Sequence, residues 1–260
     1  MKRWARWLLG IGAACTVACV GPAQARAPVV AAASDLQHVM VELVDAFAAD
    51  TGQRLRVAHG ASGNLARQIR AGAPFELFLS ADEQFVLDLH RDAISEDTGH
   101  HYATGRLALV VTHRAGFDAA GGLRALGEAL ADGRVRRLAI ANPDHAPYGM
   151  RAAEALAAAG LADGARESLV LGENVAQAAQ FVFSGNAQAG LVAASMQAAN
   201  GLPAGLDWHL VPDALHAPLR QRMVLLPGAS DGARAFHDWL LGESARAVFR
   251  AHGFSVPDPH

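Results

Sequence analysis

The groups in this sequence whose types and spacing suit chemistry are serine hydroxyls set among small residues. The stretch AHGASGNLARQIRAG (58–72) places Ser62 between Ala61 and Gly63, after a strand-like LRVAHG and before a helical pattern opening near Asn64. Ser34 stands with Asp35 at the end of a second apolar run, APVVAAAS (27–34). Two more strand ends have the same character. RRLAIANP runs into Asp144-His145-Ala146-Pro147-Tyr148-Gly149, and ESLVLGEN ends at Asn174-Val175, each ahead of a helical segment. A helix start presents unpaired N–H groups and about half a unit of positive charge, so such junctions suit an anion. No Lys or Arg lies in these loops; Arg67 and Arg70 fall one to two turns inside a helix. Each serine alone could simply cap its own helix. Four such junctions together point to a neutral cage of donors for a small oxyanion that carries no proton.

Other chemistries fit less well. A nucleophile elbow requires G-x-S-x-G, and Gly60-Ala61-Ser62-Gly63-Asn64 has its second glycine one position early. A phosphate loop requires G-K-[ST], which is absent. The twelve histidines include no H-E-x-x-H and no paired metal-ligand spacing. The densest pair, His100-His101, reads as exposed loop. His145 is expected to support the third loop from behind. Asp35 and Asp82 each begin a helix, where the dipole favours a carboxylate; Asp35 is expected to turn away from the loops and cap its own helix. No acid/base pair is visible and no enzyme activity is expected, although a secreted hydrolase pairing Ser62 with a histidine remains the rival from another class.

The elements that must position these loops alternate. Strand-length apolar runs are followed by segments with one-face helical spacing, such as Leu36, Val39, Met40, Leu43, Val44 and Phe47, stopped by Gly52. Alternation of this kind predicts an α/β fold with a parallel, doubly wound sheet, whose ligands sit where strands end and helices begin. The pattern restarts near residue 106, which suggests two α/β lobes; a single nine-stranded sheet is the alternative that the pattern alone leaves open. The chain closes on a helical ARAFHDWLLGESARAVFRAHGF.

Residues 1–25 read as a secretory signal peptide rather than part of the fold. Lys2, Arg3 and Arg6 precede the apolar LLGIGAACTVACV, and Ala23-Gln24-Ala25 forms a cleavage site. Cys15 and Cys19 fall inside it, so the remaining chain holds no cysteine for a disulfide, a nucleophile or a metal. Lipidation at Cys19 is not expected, because Thr16 stands where a lipoprotein box requires Leu. The whole chain has a formal net charge of −3, and loss of the three signal cations leaves −6. That acidity argues against a nucleic-acid partner. About 235 residues remain, without the ~18-residue apolar run of a membrane span. Export to the bacterial periplasm follows.

Several motifs resemble, in order and spacing, the periplasmic molybdate-binding proteins of ABC transporters: AAASDL, GASGNLARQI, GAPFELFLSAD, NPDHAPYGMRAAEAL, GENVAQA and GLVAAS. The resemblance covers essentially the whole chain after the signal. It implies a type II periplasmic-binding-protein fold, two doubly wound α/β lobes joined by a hinge with the ligand in the cleft between them. Lobe 1 would take residues 26–105 plus 213–260, and lobe 2 residues 106–212. It implies capture of molybdate, and of tungstate, for delivery to the membrane permease of an ABC importer, by a monomer with no cofactor. Ser34 and Ser62 match the serine donors of the first two loops, Tyr148 a position donating its backbone N–H, and Val175 a valine whose N–H faces the anion. Molybdenum would thus be bound only as its oxyanion, through Ser34, Ser62, Tyr148 and Val175. Ala193 is aligned with a tyrosine donor that the family often carries, so that donor is lost here; the Tyr148 hydroxyl is the candidate replacement. A sulfate receptor, or one for another small oxyanion, is the alternative within the binding class.

Overall fold

The computed structural model describes residues 26–198 and 201–257; the expected signal segment, with Cys15 and Cys19, lies outside them. In chain order, β1 (Val29–Ala33) leads through a tight turn, Ser34–Leu36, to α1 (Val39–Thr51). Then come β2 (Arg56–Gly60), α2 (Ser62–Arg70), β3 (Leu77–Ser80), α3 (Glu83–Arg91) and β4 (His100–Gly105). Next are β5 (Leu107–Thr112), α4 (Gly122–Ala131), β6 (Leu138–Ala141), α5 (Pro147–Ala158) and the short α6 (Ala162–Ala165). β7 (Leu169–Gly172), α7 (Val175–Phe183), β8 (Ala189–Ala193) and β9 (Leu206–Leu210) follow. β10 (Leu219–Leu225), α8 (Asp231–Leu240) and α9 (Glu243–Ala251) complete the described chain. None of the described helices is long and apolar enough to cross a membrane.

The strands form two five-stranded sheets, ordered β2-β1-β3-β10-β4 and β7-β6-β8-β5-β9. Each sheet has the same plan. Three parallel strands lie on one side, and the fourth runs antiparallel to both its neighbours. The wholly parallel sheets read from the alternation are therefore mixed. The antiparallel strand is in each case the one the chain enters after crossing between sheets: β5 directly after β4, and β10 after β9. A strand that arrives from the other lobe enters at the end facing that lobe, so it must run against the rest.

Burial follows strand alternation. In the first sheet, Val30, Ala32, Leu77 and Leu79 pack on one face with Phe47, Phe236 and Phe249. Ala31 and Phe78 pack on the other with Leu65, Val86 and Leu89. Both faces are thus covered by helices, which is why these strands read as unbroken apolar runs. The core of the second lobe runs on across the cleft to Ala33, Ala61 and Ala81 of the first.

Three boundaries differ from the sequence reading. α2 opens at Ser62 rather than Asn64. His100-His101 lie in β4, an edge strand, not in a loop, although His100 is exposed as expected. Edge strands carry polar side chains outward, which hides their alternation. The closing helix is two, α8 and α9, parted at Leu241-Gly242.

Candidate functional site

Four strand ends converge on one small cavity between the lobes. Its wall includes Ser34 and Asp35 after β1, Ala61 and Ser62 after β2, Pro147 and Tyr148 opening α5, and Val175 opening α7. As it stands the cavity volume is about 10 Å³, roughly the room of one water molecule. Wider hollows exist elsewhere, such as one at the far end of β5 lined by Thr112, His113 and Arg114. That one holds one short 3-10 turn and no α-helix start.

The way the four helical turns begin decides what the cavity can hold. Neither serine caps its helix, although each is of a type that could. The N-cap positions are Ala33 and Ala61, which have no side-chain acceptor, and Ser34 and Ser62 stand one residue inside. α5 begins at Ala146 and Pro147, again without a side-chain cap. Of the four, only α7 is capped, by Asn174, whose side chain accepts the Gln177 N–H at 3.0 Å. Helix starts leave their first N–H groups without intrahelical partners. Here an alanine cap supplies no side-chain acceptor for them, and in α2 the Gly63 N–H is taken by the His145 carbonyl.

Ser62 is fully buried, and its Oγ accepts the Ala81 N–H at 3.0 Å. A hydroxyl that has accepted still has its proton to donate, so this bond orients Ser62 as a donor. The hydrolase alternative needs an imidazole on that hydroxyl, and no such bond occurs among the described residues. The nearest loop histidine, His145, has Nε2 at 2.9 Å from the Glu173 carbonyl. A carbonyl only accepts, so Nε2 carries the proton and His145 is committed to shaping the β7–α7 loop. No group of three His, Cys, Asp or Glu among the described residues could hold a metal ion.

The lobes touch around the cavity. The Gly63 N–H donates to the His145 carbonyl at 3.0 Å, and the Asn64 amide donates to the Glu173 carboxylate. Arg151 of α5 faces Asp82 at 3.8 Å. The Ser195 hydroxyl donates to the Asp35 carbonyl at 2.8 Å.

Asp35 corrects the sequence reading. It does not turn away from the cavity, although its carboxyl also draws on the Asp35 and Leu36 N–H groups of its own first turn. Its carboxyl is buried in the cavity wall, and Oδ2 accepts from the Tyr148 hydroxyl at 3.2 Å and from the Gln221 amide. Burial pushes this carboxyl up to about 6, against the lowering effect of hydrogen bonds from Gln221 and Tyr148 and from the Asp35 and Leu36 backbone N–H groups. The Tyr148 hydroxyl is thereby committed to Asp35, which leaves it unable to replace a lost donor while that bond stands. Ala193, the last residue of β8, is buried in the second lobe's core and does not line the cavity. Ser34, Ser62, Tyr148 and Val175 are brought together; Ala193 is not.

Sequence reasoning missed Gln221, Tyr102 and Ser195. A signal for Gln221 existed: Leu219, Gln221 and Met223 alternate inward along β10, so a glutamine stands on a buried face and must have polar partners.

The comparisons agree with this architecture. The model of the family described as bacterial extracellular solute-binding protein matches residues 28–255. The chain is 35% identical over 255 residues to the molybdate-binding protein ModA of Azotobacter vinelandii, covering 96% of this chain and 97% of that one. It is 34% identical over 240 residues to the ModA of Rhodobacter capsulatus, covering 90% of each. The solved structure of the Azotobacter vinelandii periplasmic molybdate-binding protein superposes with a TM-score of 0.77 at 30% identity, covering 89% of this chain and 100% of that chain. With two crossed α/β lobes, a cavity of helix starts between them and a family match over nearly its whole length, the chain belongs to the bacterial extracellular solute-binding proteins.

Proposed function

We propose that this protein captures molybdate, and with it tungstate, outside the cytoplasm and delivers the anion to the permease of an ABC importer. The observation that carries the reading is the set of uncapped helical turns. Three of the four starts around the cavity have alanine where a cap would stand, and two place a serine at the first position inside. An oxyanion without a proton offers only acceptors and matches such a wall. Ser34 and Ser62 would donate by hydroxyl and backbone, Tyr148 and Val175 by backbone N–H. The relatives named above bind molybdate by name, and their similarity spans the lobes that form this wall. Export to the periplasm and action as a monomer belong to the same reading.

One observation favours a second reading. Asp35 lines the cavity, and a carboxylate there is an acceptor for an anion that keeps a proton, such as hydrogen phosphate. Thermal melting with molybdate, tungstate, sulfate or phosphate at about 10 µM separates the two. A ligand present at 100 times its Kd stabilises the folded state by about 2.7 kcal/mol, several degrees for a chain of this size. Molybdate and tungstate are expected to raise the melting temperature and phosphate is not. A rise with phosphate alone would move the assignment to the second reading.

A further inference from the structure

We propose that Asp35 holds a proton whenever the anion is bound, so that capture of one dianion takes up one hydrogen ion from solution. This rests on the oxyanion reading above. The geometry leaves the carboxyl no route out of the wall. Its Oδ2 is fixed by Tyr148 from α5 and by Gln221 from β10, whose Oε1 accepts the Tyr102 hydroxyl of β4 at 2.8 Å. Ser195, after β8, fixes the main chain of the same residue. Oδ1 is buried and makes no well-formed hydrogen bond among the described residues, leaning only on the Asp35 and Leu36 N–H groups of its own turn, in a residue that lines the cavity. A buried oxygen without a partner is costly, and an anion offers it none while it is ionised, since both would only accept.

The other groups around Asp35 do not neutralise it. β2, α2 and α7 bring Gly60, Ser62 and Val175 to the same wall, none of them titratable within the ordinary pH range. The titratable groups facing it are Tyr148 and Tyr102. Burial holds both hydroxyls well above their ordinary range, so they stay neutral donors. None of the groups acting most strongly on Asp35 is a cation. A dianion beside this buried, ionised carboxylate would meet repulsion screened far less than in water. Protonation removes the charge and turns Oδ1 from an orphan acceptor into an O–H donor. The balance is simple: ionised protein, dianion and one hydrogen ion give the complex, with one O–H bond formed and none broken. The conflict between an acidic wall and a proton-free ligand then disappears.

The sign follows from the free protein. Asp35 is raised to about 6, so it is ionised at pH 8 and must gain a proton on binding. At pH 6 half the molecules already carry it. Affinity is therefore expected to fall about tenfold per pH unit above 7, by the linkage between proton and ligand. Folding shows the same sign. A raised carboxyl contributes stability that is full below its ordinary value near 4 and is lost as pH rises through about 6.

The test is calorimetric titration of the chain with molybdate in two buffers of different ionisation enthalpy, at pH 8 and pH 6. About one proton taken up per anion is expected at pH 8, and about half at pH 6. Asp35→Asn should bind at least as tightly as the parent at pH 8 and take up none. Binding by the parent without proton uptake at pH 8, or unchanged uptake in Asp35→Asn, would overturn the proposal. Binding heat from neither molybdate nor tungstate would instead overturn the oxyanion reading, and this proposal with it.

Discussion

Gly63→Ala is expected to weaken anion binding on the order of 100-fold, about 2.7 kcal/mol, while leaving the unliganded protein as stable as before. Gly63 lies in the first turn of α2, and its N–H donates to the His145 carbonyl across the cleft at 3.0 Å. A Cβ there would lie 2.7 Å from that carbonyl oxygen and 3.1 Å from the His145 Cα. Both are backbone of the opposite lobe, which cannot yield by a rotamer change. The lobes would have to part, and the donors of α5 and α7 would move off an anion held by β1 and α2. Because the closed state binds, any loss of its population lowers apparent affinity in proportion. Within the first lobe alone the methyl should be harmless, since alanine favours a helix over glycine by about 1 kcal/mol. Melting without ligand and titration with molybdate separate the two effects. A Kd within threefold of the parent would show that the lobes do not meet at this contact in the bound state.

Ser62→Ala is expected to cost about 1.5–3 kcal/mol of binding, the range for a hydrogen bond to a charged partner, or roughly 10- to 150-fold in Kd. The substitution also orphans the Ala81 N–H, which Ser62 Oγ now accepts, so some stability should go with it. Kd rather than melting temperature is therefore the informative quantity. An unchanged Kd for molybdate would remove Ser62 from the cage. Ester hydrolysis by the parent that disappears in Ser62→Ala would restore the hydrolase reading.

Much of this was legible before the structure. The alternation of strand and helix gave the α/β class because central strands such as β1, β3, β6 and β8 are buried on both faces, and its restart near residue 106 suggested two lobes, which a single larger sheet would also have matched. The strand ends gave Ser34, Ser62, Tyr148 and Val175 because parallel strands deliver their following loops to one edge. Strand direction was not legible: nothing in Leu107–Thr112 or Leu219–Leu225 tells which way it runs, since hydrophobic patterning is the same in both senses. Nor was β4, whose His100 and His101 disguise an edge strand. Asp35 was misjudged for a more general reason. A carboxylate at a helix start has a good local use, and only partners 113 and 186 residues away, Tyr148 and Gln221, draw it elsewhere. Caps are a local property, whereas the wall of a cleft is assembled from distant segments. The serines carry the same lesson in reverse. Each looked like a cap in sequence, and one residue of offset takes each out of the cap position and into the cavity wall.

The protein is acidic, and the loops around the cavity hold no lysine or arginine. If it binds a dianion there, it does so by aimed N–H groups and hydroxyls, with the small positive potential of helix starts in place of cations. The most direct test is anomalous diffraction at the molybdenum edge from crystals grown with molybdate. One peak is expected between the lobes, with oxygens in hydrogen-bond reach of the Ser34 and Ser62 hydroxyls and of the Tyr148 and Val175 N–H groups. A peak elsewhere on the molecule, or none at saturating molybdate, would contradict it.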